Sequence, residues 1–68
     1  MRQVILYRDE SGGWVVECPS LPGCNSQGDS REEAISNIKE AIALYVEVLR
    51  EDGKPIPPDT FEAYLVAV

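Results

Sequence analysis

The side chains that could do chemistry in this chain are carboxylates and thiols. Twelve Asp and Glu stand against six Lys and Arg, and histidine is absent. Without imidazole the commonest general base is missing, and Cys18 and Cys24 cannot form a usual zinc set. Acids converging from several strands would hold a divalent cation, and Asp9, Glu10 and Glu17 are the acids near β-favouring runs. Asp9 and Glu10 fall in an expected turn, so only Glu17 occupies a strand interior. We therefore expect no catalytic group, no metal and no cofactor. Ser11-Gly12-Gly13 is glycine-rich but opens no helix and lacks a following Lys and Ser/Thr, which makes it a hairpin turn and no phosphate cradle. The Cys18 and Cys24 spacing is not the redox Cys-x-x-Cys; buried reduced thiols are expected, with a disulfide across the intervening turn as the alternative.

The acids are better suited to binding. Asp29, Glu32 and Glu33 cluster where a helix should begin, a place where amide dipoles favour negative charge, so capping alone would explain them. The functional alternative is that they join the polar run Asn25-Ser26-Gln27 to face a basic partner, with Glu47 and Glu51 on the outer helix face as further contacts. Net charge is −6, and Arg2, Arg8, Arg31, Lys39, Arg50 and Lys54 are scattered. Phosphate backbones are held by clustered cations, so direct DNA or RNA binding is not expected. Trp14, Tyr7, Tyr45 and Tyr64 lack the basic neighbours that base-stacking sites use, and packing is the simpler role.

These residues must be positioned by few elements, because 68 residues make one domain. Val4-Ile5-Leu6-Tyr7 and Trp14-Val15-Val16-Glu17-Cys18 read as a hairpin about Asp9–Gly13, with Trp14, Val16 and Cys18 on one face and Val15 and Glu17 on the other. Pro19 and Pro22 end the second strand. Cys24–Gly28 is polar and small, and by propensity alone would be a loop. Ser30 and Glu33 form a capping box, so a helix is predicted from Arg31 to Asp52, its stripe Ile35, Ile38, Ile42, Tyr45 and Leu49 turned to the sheet. Ala34, Ala41 and Val48 widen that stripe. Gly53 and Pro55 stop the helix. A stiff link through Pro55, Pro57 and Pro58 leads to a last strand, Ala63–Val68, whose apolar character on both faces predicts a central or doubly covered position.

The runs Leu21-Pro22-Gly23-Cys24, Ser26-Gln27-Gly28-Asp29-Ser30, Glu32-Glu33-Ala34 and Asn37-Ile38-Lys39-Glu40-Ala41-Ile42 resemble the amino-terminal domain of HicB antitoxins. The resemblance implies a third antiparallel strand at Cys24–Gly28 and a partial ribonuclease-H-like α+β fold: a small antiparallel sheet of three or four strands, in the order β-β-β-α-β, with one helix packed on one face. It implies a partner too, a HicA-like small basic ribonuclease toxin neutralised by protein–protein contact. Many such antitoxins continue into a DNA-binding segment; residues 1–68 read as a single HicB-like domain without one, so autorepression is not expected. Similarity of fold to ribonuclease H does not carry its activity. A minimal metal nuclease would require magnesium-dependent RNA cleavage lost in Glu17→Gln.

One helix covers one face of a small sheet, yet the expected strands offer apolar side chains to both. A homodimer or homotetramer is the expected solution, with Ile5, Tyr7, Trp14, Val15, Tyr64 and Val66 as candidate interface residues. A stand-alone homo-oligomeric scaffold or regulator without a toxin is the alternative function. No apolar run approaches the roughly 20 residues that span a membrane and no signal peptide is evident, so the expected compartment is the cytoplasm.

Overall fold

Three short strands pair in sequence order and one long helix closes over them. The computed structural model describes residues 1–60 and 62–68. Strands β1 (Ile5–Arg8), β2 (Trp14–Glu17) and β3 (Asn25–Gly28) form an antiparallel sheet with β2 central, followed by α1 (Arg31–Glu51). The fold is α+β.

Alternation along β2 assigns the faces. Leu6, Val16 and Ser26 form one row across the helix-facing side, and Arg8, Trp14 and Gly28 the next. The outer side carries the rows Tyr7–Val15–Gln27 and Ile5–Glu17–Asn25. Between sheet and helix lies a core of Val16, Cys18, Leu21, Cys24, Ala34 and Ile38, with Val4, Leu6, Trp14, Ile42 and Tyr45 packed around it.

Each turn has a local cause. Gly12, at φ +93°, closes the hairpin by donating to the Asp9 carbonyl at 3.0 Å, while Asp9 N–H donates to Gly13 O at 2.8 Å. The proline-rich turn folds back on itself: Cys18 N–H reaches Cys24 O at 2.9 Å, and Leu21 is driven fully into the core. Tyr45 Oη donates to Pro22 O at 2.8 Å and ties this turn to the helix.

The helix begins as expected, with Ser30 Oγ accepting from Glu33 N–H at 3.0 Å. It ends at the Asp52 cap, as expected, in a Schellman arrangement: Gly53, at φ +67°, donates to Arg50 O at 3.1 Å, and Lys54 donates to Leu49 O at 2.9 Å. Ala34 and Ile38 are the helix residues fully buried, whereas Val48, expected to widen the packed stripe, is about half exposed. The stripe is therefore centred toward the first half of α1, where β3 lies.

β3 forms although Asn25, Ser26, Gln27 and Gly28 favour strands poorly. Tertiary contacts override propensity. Asn37 Nδ2 donates to Gln27 O at 2.8 Å, which satisfies the strand's outer edge from the helix, and Gly28 lies flush against the first turn.

The last strand is the expectation that fails. Residues 62–68 are in no strand and all are exposed, Tyr64, Leu65, Val66 and Val68 among them. The helix packs chiefly on β3 and β2, and least on β1. A segment that is apolar on both faces gains little there from a single copy of the chain. The sheet has three strands, in the order β-β-β-α, and the terminal β of the expected order is not part of it.

Candidate functional site

The two junctions that flank the Trp14–Gly28 end of the sheet build a polar cleft. Antiparallel register sets the hairpin turn after β1 beside the turn after β3, so residues 20 positions apart meet. The cleft, of about 430 Å³, is lined by Asp9, Ser11, Gln27, Asp29, Glu33 and Asn37 with the backbone of Gly13 and Gly28 and the Trp14 ring. Three carboxylates line it and no lysine or arginine does. Arg8 borders the cleft without lining it: its guanidinium lies 5.0 Å over the Trp14 ring and donates to Gly12 O at 3.1 Å.

Each wall of the cleft has a reason in the sequence. Asp9 is fixed in the turn by Ser11, whose Oγ donates to its Oδ2 at 2.9 Å. Glu33 stands in the first helical turn, held by the Ser30 cap. Asn37 is anchored by its bond to β3. What this arrangement offers is acceptor oxygens gathered at a helix start, suited to a lysine or arginine presented by another macromolecule.

Of the residues expected at a partner surface, the structure brings Gln27, Asp29 and Glu33 together in the cleft, with Glu32 exposed beside it. It does not bring the others. Asn25 lies at the opposite end of β3, and Glu47 and Glu51 are exposed in the last turns of α1. At 1.5 Å rise per residue, Glu47 is roughly 21 Å along the helix axis from Glu33. Asp9 and Asn37 are cleft residues that sequence reasoning did not assign to this surface; the signal for Asp9 was strand register, and for Asn37 its four-residue spacing from Glu33 on the helix.

Glu17 and the thiols behave differently. Glu17 projects from the outer face, where Tyr7 Oη donates to its Oε1 at 3.4 Å. Desolvation first, and then the Glu17 carboxylate, holds the Tyr7 phenol above its ordinary value. Among the described residues no three His, Cys, Asp or Glu side chains are grouped to hold a metal ion. Cys18 and Cys24 are free thiols, both buried. Burial pushes the Cys24 thiol up, the adjacent Cys18 sulfur adds to the shift, and Arg2 opposes it.

A second, apolar groove of about 530 Å³ runs along the helix between Cys24, Tyr45, Leu49 and the exposed pair Leu44 and Val48. Leu44 is more than half exposed and was not anticipated as a surface residue. The four-residue spacing of Leu44 and Val48 was the available sign. Of the candidate interface residues, Ile5, Tyr7 and Val15 share the outer sheet face, Trp14 packs on the helix side, and Tyr64 and Val66 project from the exposed segment.

The family described as HicB-like antitoxin of bacterial toxin-antitoxin systems matches residues 3–67. This chain belongs to that family. The HicB-like chain is 48% identical over 63 residues to a UPF0150 protein of Thermoplasma acidophilum, covering 93% of this chain and 91% of that one. It is 50% identical over 56 residues to a UPF0150 protein of Synechocystis, covering 82% and 71%. It is also 32% identical over 57 residues to Antitoxin HicB 2 of Photorhabdus laumondii, covering 84% of this chain and 41% of that antitoxin. Among the described residues, no helix is long and apolar enough to cross a membrane.

Proposed function

We propose that this chain is the antitoxin of a toxin-antitoxin pair and neutralises a small, basic, HicA-like ribonuclease by protein–protein contact. Membership in the HicB-like family carries the reading, and similarity to Antitoxin HicB 2 supports it. The acidic cleft supplies a physical means: Asp9, Asp29 and Glu33 would occupy cationic side chains that otherwise hold RNA phosphates. The role is binding and not catalysis, in the cytoplasm, with no direct contact to DNA by residues 1–68. The β-β-β-α core is, on this reading, the partial ribonuclease-H-like scaffold of such antitoxins. The chain acts as a homodimer or homotetramer; the partly buried outer residues Ile5 and Val15 and the exposed Tyr7 favour this.

The test is affinity capture from native cells at low and high salt, followed by an RNA-cleavage assay on whatever co-purifies. A small basic chain whose nuclease activity disappears on adding this protein back is the expected result. Recovery of the bait alone as a defined oligomer would transfer the assignment to a stand-alone regulator.

A further inference from the structure

The two thiols are the strongest nucleophiles of the chain, and the proposed antitoxin role uses neither. Strand register places them opposite one another. β2 and β3 pair Val16 with Ser26 and Glu17 with Asn25, and one further step along the same ladder brings Cys18 to face Cys24. Their backbones are joined there, Cys18 N–H donating to Cys24 O at 2.9 Å. Alternation sends both side chains to the helix-facing side, where each is buried in the core with Val16 and Leu21.

That placement matches what a disulfide needs. Residues opposed in a hydrogen-bonded antiparallel pair have Cα atoms about 5.5 Å apart. Disulfides join Cα atoms about 4.4–6.8 Å apart, most often about 5.5–6 Å. Closure therefore asks for side-chain rotation and no shift of the backbone. The sulfurs already sense each other, since Cys18 contributes to the upward displacement of the Cys24 thiol. Small reagents have an approach as well. Both residues border a surface pocket of about 240 Å³ beside Glu17, Pro19 and Pro22, and Cys24, the more exposed at 6% against 2%, also lines the apolar groove next to Tyr45. Packing alone would account for two buried thiols, but it does not require them to be opposed, on one side of the ladder and open to a shared pocket.

We propose that Cys18 and Cys24 form a reversible intramolecular disulfide site whose reactant is a low-molecular-weight disulfide of the glutathione class. Cys24, as thiolate, attacks one sulfur of the reactant and releases the other half as a thiolate, which takes up the proton that Cys24 lost. Cys18 then gives up its proton and attacks the Cys24 sulfur, releasing the second half as a thiol. Two protein thiols are oxidised to one disulfide and one small disulfide is reduced to two thiols, so atoms and electrons balance. The ring so closed, residues 18–24, encloses both prolines of the turn and the fully buried Leu21. Cross-linking it restricts the unfolded chain more than the folded one, in which the two ends are already in place. The effects are reciprocal: the disulfide favours the fold by the same factor with which the fold favours the disulfide. The inference is independent of any toxin and of self-association.

The experiment equilibrates the full chain, folded and in concentrated urea, with mixtures of reduced and oxidised glutathione, then quenches with acid and alkylates free thiols for intact mass measurement. Equilibrium populations are read, so burial delays the exchange without biasing it. The expected product is lighter by two hydrogens, takes up no alkylating reagent and returns to the dithiol on adding dithiothreitol; it forms with an equilibrium constant about tenfold larger in the folded chain than in urea. Its urea midpoint should lie above that of the reduced chain, and Cys18→Ala should show no such rise under the same oxidant. An equilibrium constant no larger in the folded chain would overturn the proposal, as would thiols that remain fully alkylated, a glutathione adduct that persists without ring closure, or cross-links between chains.

Discussion

Gly28 and Cys24 show how much a single position decides in a domain this small. A methyl group on Gly28 would lie 2.5 Å from Ala34 N and 3.0 Å from Ala34 Cα, backbone atoms of the helix that have no rotamer to give. Gly28→Ala should therefore destabilise by about 1–3 kcal/mol, as overpacking does, read as a lower urea midpoint at unchanged slope. The thiol sets an alkaline limit. Cys24 holds its proton in the folded chain above the ordinary value of 9.0, so above that pH the unfolded chain binds fewer protons than the folded one. Stability then falls as pH rises. Tyr7, raised from 10.0, adds a loss of the same sign further up. Urea midpoints should hold to about pH 8 and decline beyond about pH 9, and Cys24→Ala should flatten the first part of that decline. An unchanged profile in that variant would remove Cys24 as its source.

At the scale of elements, the proline-rich turn and the helix start carry more than their lengths suggest. Leu21 belongs to a loop by sequence yet is fully buried, between strand, turn and helix. Leu21→Ala should cost about 2–5 kcal/mol, a large share of what a domain this size possesses. A thermal midpoint within a few degrees of the parent would mean that the turn is not a structural part of the core. Ser30→Ala should cost about 1 kcal/mol through loss of the cap, while Ser30→Asp should stay near the parent. These two elements also divide what could be read from sequence from what could not. The hairpin, the Ser30 start and the Gly53 stop follow from local chemistry, and each is found where the residues put it. β3 has no local signal, since Gln27 and Gly28 become a strand only through Asn37 and the helix backbone; its placement came from family resemblance. Tyr64–Val68 has a strong local signal and no strand, because propensity cannot report whether a second surface exists to cover it. The acidic cleft was half legible for the same reason: Asp29 and Glu33 are neighbours in sequence, while Asp9 reaches them only through strand register.

For the whole molecule, charge and shape point to different partners on different faces. Ile5, Tyr7 and Val15 on the outer sheet face and residues 63–68 are apolar and suit a second copy; the cleft at the other end of the hairpin is acidic and suits a cation-bearing protein. Separation of the two lets a dimer form without consuming the acids. It also makes the electrostatic claim testable apart from oligomerisation. Exposed carboxylates act chiefly on encounter, so neutralising them as Asp9→Asn, Asp29→Asn and Glu33→Gln should slow association with the captured basic partner, by about tenfold at low salt, and leave dissociation nearly unchanged. The difference should shrink as ionic strength rises, because the screening length at 0.1 M is about 10 Å. Glu47→Gln with Glu51→Gln is the internal control. Those residues lie roughly 21 Å or more from the cleft along α1, about two screening lengths, and their loss should change the rate less than about twofold. Stopped-flow association rates over a salt series decide the matter. Equal slowing by both sets of substitutions would mean that overall charge steers the partner and that the cleft is not its landing point.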